Sequence, residues 1–361
     1  MTTAHTKPVR IGIRGAAGLL GSRLAAAIAR TTDLRTTVGV VIPDRTLTGL
    51  LERTKLLPRL ARWLPDQMYL QVPSHLGSER DMVRKFNQDY PQIHFCGASQ
   101  LSWKNECDVV VDMAYPAGKE MVAQPYSTFP GNIILQDGAS PEGRLIVPPF
   151  PAQGNGDRHF YRMGDCMMSG LIPMLYPFRD EIAKIRLHML TQFDGREPDY
   201  LIHERAHAFY LREDLKEKLA RDLSSLLPAS HIEVGAVVQI PSLLHYQATI
   251  TLELASEISG DEVRERLAST AHLRMIPERI TSTYDINLAR SFEDVVPSVM
   301  VFDHALYPRS GERSSTVRLV AALYYRSAAV LPNMDAIRIL AQGMDPLEAM
   351  RQTDRDMGFS E

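Results

Sequence analysis

The sequence predicts an α/β chain in two parts: a parallel-sheet domain over residues 1–160, then an α+β domain over residues 161–330 whose sheet is mixed or antiparallel. Three observations predict it. Short apolar strands alternate with helix-forming stretches as far as Gln136 and end in glycine-rich or polar loops, the pattern of a parallel sheet whose connecting helices cover its faces. A glycine turn joins the first strand to the first helix. Longer alternating runs, rich in branched residues, dominate the stretch from Ile185 to Tyr325, as half-buried strands do.

Val9-Arg10-Ile11-Gly12-Ile13-Arg14 reads as a buried strand, Gly15-Ala16-Ala17-Gly18-Leu19-Leu20-Gly21 as a tight turn, and residues 22–30 as a small-residue helix. Gly15 permits the turn, Gly18 permits close approach of a pyrophosphate, and Gly21 lets the helix lie close on the sheet. The free amides of the first helical turn then receive phosphate charge. With a second strand at 35–42 the unit reads as a Rossmann-type dinucleotide-binding domain, with Gly15, Ala16, Ala17, Gly18, Leu19 and Leu20 on the cofactor. A structural turn, or a turn for a different nucleotide, uses the same glycines. Ile42-Pro43-Asp44-Arg45 closes the second strand. Arginine there attracts the 2'-phosphate of NADP, and Asp44 lies beyond a proline, so NADP or NAD is the expected cofactor with a modest preference for NADP through Arg45.

From Leu50 to Leu70, leucines mix with Arg53, Lys55, Arg59 and Arg62 and are broken by Pro58 and Pro65, which predicts short helices or a covering loop. Strands are expected at 93–96, 108–113 and 132–136, with Ala114 and Tyr115 reaching toward the nicotinamide and Asp137-Gly138 toward the domain boundary. Proline and glycine between residues 141 and 156 mark a crossover loop or a surface insertion.

Cys166 is the candidate nucleophile. It stands just ahead of a run expected to start a helix at Ser169 or Gly170 and to bury Leu171-Ile172-Pro173-Met174-Leu175-Tyr176. Unpaired amides and aligned peptide dipoles at such a position lower a thiol pKa, although a buried, inert cysteine is the commoner occupant. Strands follow at 185–191, 234–240, 244–254, 299–302 and 317–325, with a helix at 211–227 whose Glu213, Lys216, Glu217 and Lys218 are expected on its wet side, and another at 261–267. The last segment, 331–361, begins as a helix entered by Pro332 and is expected to return to the dinucleotide-binding domain.

Composition narrows the partners. With 45% apolar and 23% charged residues the chain is that of an ordinary globular protein, and its net charge of -3 gives no general attraction to nucleic acid. Three widely spaced cysteines, Cys96, Cys107 and Cys166, form no disulfide framework and suit a reducing, cytoplasmic compartment. No Cys-x-x-Cys pair occurs, so a cysteine-bound metal is not expected. The first seven residues are polar and lack the apolar core of a secretory signal, and the apolar runs are interrupted, which leads to the expectation of neither a leader nor a membrane span. A small molecule is the expected partner, on a chain that pairs into a homodimer or homotetramer.

The segment Asp165-Cys166-Met167-Met168-Ser169-Gly170-Leu171, the continuation Tyr176-Pro177-Phe178-Arg179, and later Ile280-Thr281-Ser282-Thr283 and Pro332-Asn333-Met334-Asp335-Ala336-Ile337-Arg338 occur in the order of matching segments in one family. Through them most of the chain resembles the archaeal-type branch of glyceraldehyde-3-phosphate dehydrogenase. The resemblance implies that Cys166 attacks an aldehyde, that hydride passes to a nicotinamide, and that a thioester remains for an acceptor, or the same steps reversed. It also adds Asn333 to the cofactor-binding residues.

Four departures qualify what is carried over. Thr191-Gln192 stands where the family has an arginine pair, and Ser230-His231-Ile232-Glu233 where it has paired histidines and a glycine, so groups that hold phosphate are missing. Met167 replaces an asparagine. Equal spacing puts the family's histidine base at Tyr246, with His245 beside it; His245 is the preferred base, and His231 and His188 are substitutes. His245 and Tyr246 point to opposite strand faces, so one of them meets the thiol. The sequence therefore predicts an NAD(P)-dependent aldehyde dehydrogenase or acyl reductase whose substrate need not be glyceraldehyde 3-phosphate. The alternatives are the phosphorylating dehydrogenase itself or a retired, nucleotide-binding regulator.

Overall fold

A computed structural model describes residues 7–43, 63–65, 67–72, 76–98, 105–114, 126, 129–136, 143–154, 159–192, 209–240, 245–277, 280 and 296–359. The chain divides into two compact units: Met1–Ile146 with Gly154–Met163 and Pro332–Ala349, and Val147–Gln153 with Gly164–Leu331 and Met350–Glu361.

The first unit carries β1 (Val9–Arg14), α1 (Leu19–Ile28), β2 (Leu34–Val41), β3 (Gln67–Leu70), α2 (Glu79–Asp89), β4 (His94–Gly97), β5 (Val109–Asp112), β6 (Asn132–Leu135) and β7 (Arg144–Val147); after β8 (Phe150–Gln153), β9 (Phe160–Met163) completes it. The strand order is β4-β3-β2-β1-β5-β6-β9-β7-β8. β1 runs parallel to both β2 and β5, and β9 parallel to β6 and β7. Ile11, Ile13, Val38, Val40, Val109, Val110 and Val111 are fully buried, as expected for strands covered on both faces. Two expectations change here. Residues 67–70 are a strand, not helix or loop, because Met68, Tyr69 and Leu70 are buried and pair in register with Phe95, Cys96 and Gly97. Residues 144–153 hold two strands where a crossover loop was expected.

The second unit carries α3 (Cys166–Leu175), β10 (Ile182–Gln192), β11 (Tyr210–Leu211), α4 (Glu213–Leu226), β12 (His231–Ile240), β13 (His245–Ser259), α5 (Gly260–Ala268), β14 (Leu273–Ile276), β15 (Val299–Phe302) and β16 (Arg313–Tyr324). The order β11-β12-β10-β13-β16-β15-β14 is mixed: β10 is parallel to β12 and antiparallel to β13, and β16 is antiparallel to β13 and β15. Alternation along β13 buries Tyr246, Ala248, Ile250, Leu252 and Leu254 on one face and leaves Gln247 and Thr249 on the other.

A long helix, α6 (Tyr325–Ile337), follows β16 directly, then a π-helical turn (Arg338–Gln342) and α7 (Pro346–Met357). Pro332 lies inside α6 rather than at its entrance: helix starts at Tyr325, and its neighbours Leu331 and Asn333 are fully buried, so packing overrides the cost of a missing N–H. Within the first unit, the buried guanidinium of Arg338 donates to Asp33 at 2.8 and 2.9 Å, and the Asn132 amide donates to the Leu340 carbonyl at 3.2 Å. The returning segment is thus tied to the start of β2 and of β6.

Candidate active site

In the first unit, the glycine turn sits at the carboxyl ends of β1 and β5. Gly15 has φ +79°, and a Cβ there would lie 3.0 Å from the Ala114 nitrogen, so Ala114 adjoins the turn. Gly15 and Ala16 donate to the Val40 carbonyl at 2.8 and 3.0 Å. Gly18 caps α1, and a Cβ on Gly21 would stand 2.2 Å from the Gly15 oxygen. Helix and turn therefore touch through backbone alone. The amides of Leu19, Leu20 and Gly21 have no carbonyl four residues back within the helix and open onto the turn, which suits an anionic pyrophosphate.

Beneath the turn lies a buried polar cluster that sequence reading missed. Arg14 donates to Asp112 at 2.6 Å and to Gln71 at 2.7 Å, and the Tyr126 hydroxyl donates to Asp112 at 3.0 Å. Burial opposes the Arg14 charge, but Asp112 and Tyr126 outweigh it and the guanidinium stays protonated. Two charged residues ending otherwise apolar strands were the available signal. Asn333, on α6, donates to Gln136 just past β6, so it too stands at the carboxyl end of the sheet. Arg45 and Tyr115 lie outside the described residues, as do Asp137 and Gly138; of Leu19 only the backbone is described.

In the second unit, α3 begins at Cys166 itself and not at Ser169 or Gly170. The reason is Asp165, whose carboxylate accepts from the Met168 amide at 2.8 Å and whose carbonyl accepts from the Ser169 amide at 2.8 Å, the signature of an N-cap. Ser169 is buried one turn further on, and Gly170 lets the helix approach Leu323 of β16, 3.1 Å from where its Cβ would be. Met167 and Met168 are buried, and the three apolar residues Leu171, Ile172 and Met174 are fully so.

Cys166 Sγ lies 3.2 Å from the Tyr246 hydroxyl. Sequence reasoning preferred His245, but the side chain that meets the sulfur is that of Tyr246. Alternation on β13 turns Tyr246 toward α3, while His245 meets Tyr324, 5.4 Å between ring centroids. Burial pulls the His245 pKa down to about 4, which makes it a weak base. His231 is exposed, and His188 lies over Gly235 on β12, away from the buried face that carries Tyr246.

The expected acidification of the thiol does not occur. Burial pushes the Cys166 pKa up to about 12, the Asp165 carboxylate adds to the rise, and Tyr246 and Lys218 pull against it. Burial also raises the Tyr246 phenol well above its ordinary value, and the neighbouring thiol adds to that. Both groups hold their protons at neutral pH. Lys218, expected on a wet helix face, is mostly buried: its Nζ meets Asp165 at 2.5 Å and Asp222 at 3.3 Å. The i, i+4 spacing of Lys218 and Asp222 on α4, flanking buried Leu219 and Leu223, was the signal for this pair.

An aromatic group extends from the thiol. The Tyr246 and Tyr325 rings stack with centroids 5.8 Å apart at 24°, and Arg326 Nε donates to the Tyr325 hydroxyl at 3.0 Å. Thr191 is buried with its hydroxyl on the Val238 carbonyl at 3.5 Å. Among the described residues, no cluster of three metal-ligating side chains occurs, and no helix is long and apolar enough to cross a membrane.

No protein-family model matches the chain. It is 25% identical over 368 residues to the glyceraldehyde-3-phosphate dehydrogenase of Aeropyrum pernix, covering 97% of this chain and 98% of that one. To the enzyme of the same name from Methanobacterium bryantii it is 26% identical over 366 residues, covering 97% and 99%. Among solved structures it resembles aspartate semialdehyde dehydrogenase II of Vibrio cholerae, complexed with ASA, with a TM-score of 0.60 at 12% identity, covering 93% of this chain and 99% of that chain. A probable aspartate-semialdehyde dehydrogenase from Pseudomonas aeruginosa also gives a TM-score of 0.60 at 12% identity, covering 93% and 100%. The structural likeness is one of fold: a Rossmann-like sheet with a second, mixed-sheet domain. Taken with the full-length relatives, it places the chain in the superfamily of two-domain, NAD(P)-dependent oxidoreductases.

Proposed function

We propose that the chain is an aldehyde dehydrogenase or acyl reductase that works through a thioester on Cys166. The observation that carries this reading is the 3.2 Å contact between Cys166 Sγ, at the first position of a capped helix, and the Tyr246 hydroxyl.

The chemistry follows from the groups present. Sγ attacks the carbonyl carbon as its S–H bond breaks: a C–S bond forms and the C=O π pair moves onto the carbonyl oxygen. The Tyr246 hydroxyl gives that oxygen its proton, and the thiol proton passes across the 3.2 Å contact to the Tyr246 oxygen, leaving a neutral hemithioacetal. The amides of Cys166 and Met167 also donate to the carbonyl oxygen, since the first turn of α3 gives them no helical acceptor and Asp165 occupies that of Met168. Tyr246 takes the part a histidine would play, as a donor more than as a base. Lys218, on the far side of Asp165, offsets the carboxylate that would otherwise oppose a thiolate.

The glycine turn fits a dinucleotide, because its backbone is bare where a pyrophosphate would approach and its helix presents amides there. Gly15, Ala16, Ala17, Gly18, Leu19 and Leu20 would hold it, with Ala114, Tyr115 and Asn333 nearer the nicotinamide end. Bound there, an oxidised nicotinamide supplies the acceptor for the hydride that converts hemithioacetal to thioester. A preference for NADP is part of the proposal and rests on Arg45; tighter binding of NAD, unchanged in Arg45→Ala, would defeat it.

Two substrate readings stand. The full-length relatives make glyceraldehyde 3-phosphate the first aldehyde to test. A substrate without phosphate is favoured by Thr191, buried and bonded to backbone where the archaeal-type enzymes carry an arginine. Phosphate-dependent reduction of NADP by glyceraldehyde 3-phosphate decides for the first, and turnover of another aldehyde in preference to it decides for the second. Self-association into a dimer or tetramer belongs to the same proposal. Phe209, Tyr210 and Leu211 are exposed at and beside β11, and an exposed apolar group of this kind suits a contact with a second copy; sedimentation as a monomer at micromolar concentration would count against it.

A further inference from the structure

Arg326 differs from five other buried or half-buried cations among the described residues. Arg14, Lys218, Arg264, Arg266 and Arg338 each meet a carboxylate, at 2.5 to 2.8 Å. Arg326 is half-buried, and its partners among the described residues are phenols. Nε donates to the Tyr325 hydroxyl at 3.0 Å, the guanidinium carbon stands 5.5 Å from the Tyr325 ring centroid, and the Tyr324 hydroxyl also bonds to it. A phenol is neutral near pH 7 and leaves the guanidinium charge uncompensated. Withdrawing such a charge from water is costly unless an anion joins it, and a planar guanidinium is matched to carboxylate and phosphate oxygens.

Its place connects it to the nucleophile. Tyr325, which Arg326 holds by its hydroxyl, is stacked on Tyr246, which in turn touches Cys166 Sγ. One hydrogen bond, one ring stack and one further hydrogen bond thus separate the guanidinium from the sulfur. At the end of β10, by contrast, Thr191 offers no cation.

We propose that Arg326 is the specificity-determining residue of the site, receiving a phosphate or carboxylate group carried by the aldehyde or acyl compound that Cys166 attacks; this rests on the reading of Cys166 as nucleophile. Substrates lacking an anionic group lose this contact and are turned over poorly. Arg326 touches substrate and does not act on the reacting carbon, so its removal raises KM for anionic substrates by more than it lowers their kcat.

The test uses the full-length protein and a readout that needs no turnover. Cys166 is alkylated with iodoacetate, which is anionic, and with iodoacetamide, which is neutral, in wild type, Arg326→Met and Arg326→Lys. The ratio of the iodoacetate to the iodoacetamide rate is expected to fall about tenfold in Arg326→Met through loss of local anion attraction, to be partly kept in Arg326→Lys, and the iodoacetamide rate is expected to hold. Inorganic phosphate and acetate are compared as protectants of wild type against iodoacetate: protection by phosphate alone assigns a phosphate group, and protection by acetate as well admits a carboxylate. An unchanged ratio in Arg326→Met, or protection by neither anion, overturns the proposal, because an acid of the chain would then already neutralise the guanidinium. Failure of the nucleophile reading shows separately, as aldehyde-dependent reduction of the nicotinamide that survives Cys166→Ser.

Discussion

The Tyr246 hydroxyl stands 3.2 Å from Cys166 Sγ, and each group keeps its proton because it is itself buried. A thiol paired with a phenol is a different device from a thiol paired with an imidazole. It waits in the neutral state, and its partner gives a proton to a developing oxyanion more readily than it takes one.

Removal of that hydroxyl is therefore expected to cost activity without loss of fold. Tyr246→Phe loses the hydrogen bond that most strongly pulls the thiol pKa down, so Cys166 should label more slowly. Hydride transfer should fall by about 10²- to 10⁴-fold. Stopped-flow absorbance of the reduced nicotinamide measures it, and a rate equal to wild type would remove Tyr246 from the chemistry.

Thiol titration follows from the same burial. With a pKa raised to about 12, the thiolate fraction of the cofactor-free protein grows about tenfold for each pH unit below that value. Iodoacetamide labelling of Cys166 should climb throughout pH 7 to pH 10 without a plateau. A plateau near pH 8 would show an acidic thiol, which the geometry does not provide.

Asp165 and Lys218 are expected to act in opposite directions. Asp165→Asn keeps a helix cap and removes the carboxylate that raises the thiol pKa, leaving Lys218 to favour the thiolate, so labelling should speed up. Lys218→Met should slow it. The second change also leaves Asp165 and Asp222 facing each other without their cation, at a cost of about 3 kcal/mol in urea unfolding. Equal labelling rates in the two variants would contradict the electrostatic account.

At the glycine turn the expected effect is on binding. Gly15→Ala places a side chain at φ +79°, costing about 1–2 kcal/mol, and Gly21→Ala drives a methyl into the Gly15 oxygen, 2.2 Å away. Both should weaken dinucleotide binding by more than about tenfold in a fluorescence titration, while Cys166 labelling stays as in wild type.

How far the sequence could be read depended on whether a signal was local. The strand-turn-helix from Val9 to Ile28 was legible because glycine spacing, apolar strand and small-residue helix lie together, each limiting the others. Cys166 was singled out through its neighbours in sequence. Its acidity was not legible, because helix position and burial act in opposite senses and only the packing of α3 decides between them. The choice between His245 and Tyr246 was framed correctly by alternation along β13, but which face turns toward α3 is set by long-range pairing with β10 and β16. Arg14 with Asp112, 98 residues apart, and Arg326 with Tyr325 beside Tyr246 are likewise products of tertiary structure. Lys218 was read as wet because a lysine in a charged helix usually is; the two acids it meets come from different elements.

The most direct test of the account is to mix the protein with NADP or NAD and a candidate aldehyde, glyceraldehyde 3-phosphate first, without an acyl acceptor, following reduced nicotinamide and the mass of the Cys166 peptide. A single-turnover burst matched by one acyl group on Cys166, with both absent in Cys166→Ser, is the expected result. A burst that persists in Cys166→Ser, or an acyl group found on another residue, would contradict it.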